Sequence, residues 1–373
     1  MASWSGMPPF RADHVGSLLR PHSVLRARED FAAGRIPAEE LGAVEDEAIR
    51  AVVKAQEDLG LQSATDGEFR RASWHMDFIY QLGGIRPAAD KLEVEFHNPG
   101  GRISFQAAAL SIYDKISLPS TIFGDAFRFL RETTATATPK LTIPSPSMVH
   151  YRGGPAAIDP VVYPGIDQFW DDLSAAYAEE VAALAALGCT YLQFDDTSLA
   201  YLNDPKQRAI LAARGDDAEH QHLRYIRQIN AAIASKPSTM TVTTHLCRGN
   251  FRSSWAAEGS YDFVAEALFD QLQVDGFFLE YDDARSGGFE PLRFVPREKR
   301  VVLGLVTTKR PQLESKDVLK RRIEDASQYI SLDQLCLSPQ CGFSSTVEGN
   351  ELTYDDQMAK LQRIVEVASE VWA

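Results

Sequence analysis

Cysteine is scarce in this chain: Cys189, Cys247, Cys336 and Cys341 are the four among 373 residues. So few, so widely spaced, cannot form a disulfide framework, which leaves burial, metal binding or catalysis as their uses. Basic charge is also short, with 38 Lys and Arg against 52 Asp and Glu and a formal net charge of −14. That balance excludes the basic footprint of a nucleic-acid binder and attraction to an anionic membrane surface. No run approaches the roughly 20 apolar residues of a membrane-spanning helix, and residues 1–10 lack the basic stretch and apolar core of a secretory leader. No low-complexity tract, charge block or Pro/Ser linker marks a second domain. The expectation is a cytoplasmic enzyme without a nucleic-acid or membrane partner, folded as one domain over 1–373. A hydrophobic content of 45% lets it bury a large core.

Short apolar or β-branched runs recur, each followed by a longer amphipathic segment, which is the α/β pattern. Eight such runs are legible, over 10–17, 62–68, 141–147, 191–196, 240–247, 276–282, 301–309 and 335–343. Helices are expected over 37–59 and 167–187, which run from Pro or acidic starts to Gly60 and Gly188. Others over 253–272, 315–330 and 354–372 carry apolar residues three and four apart. Nearly every reactive side chain ends a strand, which favours a (β/α)8 TIM barrel, whose chemistry gathers at one rim, over an open doubly wound sheet. The stretch 82–138 breaks the alternation. Lys91-Leu-Glu-Val-Glu-Phe96 and Arg102-Ile-Ser-Phe-Gln106 flank the turn sequence Asn98-Pro-Gly-Gly101, so a β-hairpin insertion is expected after strand 2.

His245 and Cys247 lie in Thr244-His-Leu-Cys247, and alternate residues of a strand share a face. Alone, the pair reads more readily as buried structure, because free Cys is among the most buried residue types. Cys341 closes Ser338-Pro-Gln-Cys341 at the end of the last strand, where Pro339 would be awkward inside a ladder. Glu280 follows Phe277-Phe-Leu279; it is either a solvated strand-end acid or a carboxylate that meets a cation. The four together suit a tetrahedral, borderline-soft metal, Zn2+, while Cys336 reads as core. Glu68, in Thr65-Asp-Gly-Glu68, and Asp195, in Gln193-Phe-Asp-Asp196, end strands two and four. They can hold a substrate ammonium, or pair with Arg70 or Arg71. Neighbours on a strand face opposite ways, and Asp195 is the one expected to point inward, not Asp196. Gly16 and Ser17 form a turn whose N–H groups can bind a carboxylate, or a tight turn with no ligand.

His14-Val-Gly-Ser-Leu-Leu-Arg-Pro21, Asp66-Gly-Glu-Phe-Arg70, Leu192-Gln-Phe-Asp195, Thr244-His-Leu-Cys247, the Glu280 strand and Ser338-Pro-Gln-Cys-Gly342 follow in order along the chain. Together they resemble the catalytic barrel of the cobalamin-independent methionine synthases, and more closely the short, single-domain members. The resemblance implies a zinc site at His245, Cys247, Glu280 and Cys341. It implies homocysteine as the thiol, its amino group on Glu68 and Asp195 and its carboxylate at Gly16 and Ser17. The thiol would attack as a zinc thiolate on methyltetrahydrofolate or a methylated corrinoid protein, giving methionine. Two positions depart from the family. Pro144-Ser-Pro-Ser147 stands where the pterin meets a tryptophan, and Lys309 stands where a histidine is the proton donor; Lys309 is read as a proton donor or an anion binder. Two other readings stay open: a thiol transferase of the epoxyalkane:coenzyme M type, and a non-catalytic zinc- or thiol-binding homologue. Oligomeric state is not written in the composition.

Overall fold

The computed structural model describes residues 6–98 and 100–372; Pro99 of the expected hairpin turn lies outside them. Eleven strands are found among the described residues: β1 Ser63–Ala64, β2 Gly83–Pro87, β3 Leu92–Asn98, β4 Gly101–Ala107, β5 Leu110–Ser117, β6 Thr138–Pro144, β7 Tyr191–Asp196, β8 Thr241–Leu246, β9 Gly276–Glu280, β10 Arg300–Val306 and β11 Leu335–Pro339. Seven of them form a parallel sheet in the order β1-β6-β7-β8-β9-β10-β11. The eighth stave is the N-terminal segment. Ala12 bridges Leu337 of β11 in parallel; Asp13 N donates to Leu337 O at 3.0 Å and Leu337 N to Arg11 O at 2.9 Å. The sheet therefore curls until its last strand meets the segment beside its first, as in a (β/α)8 barrel. Every residue of β7, β8, β9 and β10 is buried, as a parallel sheet covered by helices requires. No helix among the described residues is long and apolar enough to cross a membrane.

The first two staves are shorter than expected. Residues 10–17 reduce to the bridge at Ala12 and residues 62–68 to β1, because Gly16, Gly67 and Glu68 adopt φ of 145°, 67° and 60°, which lie outside ladder geometry. Side chains replace the missing ladder. Asp13, fully buried, accepts from Ser63 Oγ at 2.9 Å and Tyr191 OH at 2.8 Å and lies 3.2 Å from Lys140 Nζ, which also donates to His14 O at 2.5 Å. This closed set of partners satisfies a buried ion pair that would otherwise be costly.

The helices Ala38–Asp58, Ile166–Ala186, Lys316–Ser327 and Tyr354–Val371 lie where the apolar spacing placed them. Ser315 and Thr353 cap the last two, Thr353 in a reciprocal capping box with Asp356. The helix expected over 253–272 is a correction: only Ala265–Gln271 is α-helical, after a 3-10 turn at Tyr261–Phe263. Arg252 and Ser253 are left-handed (φ 47° and 62°), and the segment folds back so that Ala256 N and Ala257 N both donate to Arg248 O. Trp255 and Ala256 border surface clefts and do not line a helix face. Within 82–138, β3 and β4 form the antiparallel hairpin, β2 and β5 pair antiparallel around it, and the helix Gly124–Thr133 follows.

Candidate metal centre and substrate cavity

The four candidate ligands come from three staves, β8, β9 and β11, the last separated from β9 by β10, and meet at the C-terminal rim. His245 lies in β8. Cys247 N donates to Asp196 O at 2.8 Å, which extends the β7–β8 pairing past the strand end and keeps Cys247 on the face of His245. Glu280 ends β9; its carboxylate accepts from Arg248 N at 2.9 Å and lies 3.4 Å from Arg285 Nη2. Cys341 sits in the turn after β11. The next residue, Gly342, packs so closely on the 16–17 turn that an added Cβ would lie 1.9 Å from Ser17 Oγ.

One ligand atom from each of His245, Cys247, Glu280 and Cys341 lies within 4.8 Å of the others, and the Cys247 and Cys341 sulfurs are 3.4 Å apart. Bond lengths of 2.0–2.3 Å in a tetrahedral zinc site place ligand atoms about 3.3–3.8 Å from one another, so a small inward adjustment accommodates the ion. Both ring nitrogens of His245 are buried without a hydrogen-bond partner, as befits a side chain meant for a metal. The two thiols act on each other in opposite senses: hydrogen bonding from Cys247 holds Cys341 well below the usual thiol range, and the same contact pushes Cys247 up. Burial works against charge on His245, but the Cys341 sulfur beside it holds its pKa above the ordinary value.

Glu68 and Asp195 border the same cavity. Glu68 Oε1 accepts from Thr142 Oγ1 at 2.7 Å and lies 3.5 Å from Arg71 Nη1, while Oε2 is buried with no partner. Arg70 pairs with Asp46 instead. Asp195 Oδ1 accepts from Gln193 Nε2 at 2.6 Å, and that amide also donates to Val15 O at 2.7 Å. Burial, reinforced by the charge of Glu68 and opposed by His245, pushes Asp195 up to about 7; burial raises Glu68 as well. Asp196 is engaged elsewhere, accepting from Ser147 Oγ at 2.5 Å, Ser198 Oγ at 2.8 Å and Leu199 N at 2.8 Å. Gly16 approaches this pair directly: a Cβ there would lie 2.7 Å from Thr142 Cγ2 and 3.3 Å from Glu68 Oε1. Ser17 borders the cavity too.

The cavity, about 200 Å3, joins three of the candidate ligands, His245, Cys247 and Cys341, and the acids to a wall that the sequence reading missed, formed by Trp74, Phe96, Phe105, Tyr201 and Phe251. One signal was available: alternation in 92–107 gives the hairpin an apolar face that must cover something. Lys309 is not brought into this cavity. It borders an adjoining cleft with Trp255, Arg285 and Arg310, its Nζ buried without a hydrogen-bond partner, its charge felt by both thiols. The segment Pro144–Ser147 is buried, its serines linked to each other and on to Asp196.

A parallel barrel that gathers two thiols, an imidazole and a carboxylate at its C-terminal rim, beside a cavity with paired acids, defines an enzyme of the TIM-barrel class with a candidate metal centre. The chain matches the family described as "Cobalamin-independent synthase, Catalytic domain" over residues 10–370. It belongs to that family, the cobalamin-independent methionine synthases, and is a methyltransferase by class. It is 47% identical to the uncharacterized protein YxjG of Bacillus subtilis (strain 168), over 98% of this chain and 95% of that one. Methionine synthase of Pyrococcus abyssi (strain GE5 / Orsay) is 24% identical over 90% of this chain and 87% of its own length. Among solved structures, a Listeria monocytogenes protein assigned to the vitamin-B12 independent methionine synthases is 36% identical, with a TM-score of 0.78 over 98% of both chains. A B12-independent methionine synthase from Shewanella sp. W3-18-1, 18% identical, shares the fold with a TM-score of 0.72.

Proposed function

We propose that the protein methylates the thiol of homocysteine to give methionine, with zinc held by His245, Cys247, Glu280 and Cys341. The observation that carries this reading is a single cavity that joins the thiol-rich ligand cluster to a buried acid pair with an unpartnered carboxylate oxygen on Glu68. When bound, zinc supplies the charge that favours loss of the thiol proton, while its two thiolates and carboxylate keep the substrate sulfur electron-rich. Glu68 and Asp195 hold the substrate ammonium, which gives Glu68 Oε2 a partner and offsets the repulsion between two buried carboxylates. The turn at Gly16 and Ser17 offers backbone N–H groups to the substrate carboxylate. Enclosure by the cavity walls aligns the sulfur with the methyl carbon and keeps out water.

In the transfer, a new S–CH3 bond forms as the methyl group leaves its donor, methyltetrahydrofolate or a methylated corrinoid protein. Lys309, whose unpartnered Nζ lies in the adjoining cleft and whose charge reaches both thiols, either protonates the leaving group or binds an anionic part of the donor. Such an enzyme works in the reducing cytoplasm, where free thiols persist. A coenzyme M reading fits less well, because that thiol carries no ammonium for Glu68 and Asp195. The deciding experiment incubates zinc-loaded protein with homocysteine and each donor in turn and measures methionine. Formation of methionine from one of them is expected; a protein that binds zinc and homocysteine yet methylates nothing would be the non-catalytic homologue.

A further inference from the structure

Three turns at the rim are stitched together around the metal ligands. Asn350 Nδ2 donates to Thr308 O, in the turn after β10, and to Asn250 Oδ1, in the loop after Cys247, both at 2.9 Å. Asn250 Nδ2 in turn donates to Gly342 O, beside Cys341, at 2.7 Å, and Thr308 Oγ1 donates to the same oxygen at 3.1 Å. The turn after β10 is therefore fixed against the segments that hold both thiols, and β10 itself lies between β9, which ends in Glu280, and β11. Lys309 is the next residue of that turn. It is 6% exposed, and its Nζ is buried without a hydrogen-bond partner. A second cation in the same cleft is placed differently: Arg285 lies 3.4 Å from Glu280 and 2.7 Å from Asp282, and also pairs with Asp283.

We propose that Lys309 is the counter-charge of the metal centre, a positioning residue whose ammonium raises the affinity of His245, Cys247, Glu280 and Cys341 for a dication and stabilises the site further once a substrate thiolate joins it. The inference rests on the zinc reading of the four ligands. It needs no contact with a substrate, since Lys309 borders the adjoining cleft and not the substrate cavity. An ammonium closed off from water without a partner is costly unless unbalanced negative charge lies near it. The acids that share its cleft do not supply that charge, because Asp283 is paired with Arg285 and Glu351 is exposed. The ligand set does. Two thiolates and a carboxylate outweigh a bound dication by one negative charge, and a substrate thiolate raises the excess to two. The charge of Lys309 reaches both sulfurs, and the stitched turns keep it there.

The test compares the full chain with Lys309→Met, which keeps the length of the side chain and removes its charge, and Lys309→Arg, which keeps the charge. Competition with a chromophoric chelator measures zinc affinity. Lys309→Met is expected to bind zinc at least about ten-fold more weakly, and Lys309→Arg to stay within about three-fold of wild type. Without metal, Lys309→Met is expected to melt no lower than wild type, because it loses an unpartnered buried charge; a lower melting temperature would mean a structural role and overturn the inference. With zinc saturating, calorimetry is expected to show homocysteine bound at least about five-fold more weakly by Lys309→Met, the most that an exposed ion pair contributes. Methionine, whose thioether brings no charge, is expected to bind equally to both. Unchanged zinc affinity in Lys309→Met, an equal loss in Lys309→Arg, or equal losses for homocysteine and methionine would each overturn the inference. Zinc bound alike by all three proteins removes the counter-charge and leaves the ligand set standing, whereas a wild type that takes up no zinc removes both.

Discussion

Replacing Glu68 with Gln keeps the size of the side chain and an oxygen able to accept from Thr142 Oγ1, as Glu68 Oε1 does at 2.7 Å. Arg71 also keeps its bonds to Thr142, at 3.0 and 2.8 Å, so the fold should be little affected. What disappears is a buried negative charge with one unpartnered oxygen, the group assigned to the substrate ammonium. A hydrogen bond to a charged group contributes about 1.5–3 kcal/mol, which corresponds to roughly 10- to 150-fold in affinity. Part of this is offset. The charge of Glu68 helps to push Asp195 up to about 7, so without it Asp195 is more fully ionised at neutral pH and holds the ammonium better. The lower half of the range is therefore expected, about 10- to 30-fold weaker homocysteine binding. Calorimetry on zinc-loaded wild type and Glu68→Gln should compare homocysteine with 4-mercaptobutanoate, the same molecule without its amino group. The substitution should weaken the first and leave the second unchanged. Equal losses for both ligands, or none for homocysteine, would refute the assignment of Glu68 to the ammonium.

Zinc content should fall sharply in Cys247→Ser and in Cys341→Ser, measured by metal analysis after dialysis; retention in both would sink the proposed ligand set. Gly16→Ala should lose roughly 1–3 kcal/mol of stability, since the residue has φ 145° and its Cβ would meet Thr142 Cγ2 at 2.7 Å; an unchanged melting temperature would contradict the close packing described for that turn. Glu180 is buried, with Oε2 accepting from Ile122 N at 3.0 Å and Oε1 unpartnered, and burial pushes it up to about 8 from 4.5. A folded pKa above the unfolded one means that its contribution to stability is fully present below about 4.5 and is lost as pH rises through about 8. Glu180→Gln cannot ionise, so it should melt higher than wild type at pH 9 by up to roughly 5 kcal/mol of added stability and gain nothing at pH 5; a gap independent of pH would count against it.

The strands that could be read from the sequence are those held by backbone ladders. Residues 191–196 match β7 because a continuous buried run there follows the helix stop at Gly188. The helix ending at Val371 was legible from its spacing, and its N-terminal capping box lies in consecutive residues. The first two staves were not, since turns at Gly16 and Gly67 interrupt them and the Asp13–Lys140–Tyr191 network does the joining. The segment 253–260 misled for a related reason. Trp255, Ala256 and Ala257 carry helical spacing but pack against the hairpin and Arg248, and local periodicity does not distinguish one apolar partner from another.

The division at the site is similar. Strand alternation and strand ends are local properties, so the order of residues already placed these side chains at the rim: an imidazole and thiol two residues apart, a second thiol, and the carboxylates of Glu280, Glu68 and Asp195. Which of them meet is a matter of long-range packing. Curling of the sheet brings the turn after β11 to within 3.4 Å, sulfur to sulfur, of the end of β8, and folding back of the insertion sets Phe96 and Phe105 on Phe251. These contacts join residues some 90 to 155 positions apart. Their distances depend on barrel closure and loop packing, which no local pattern records.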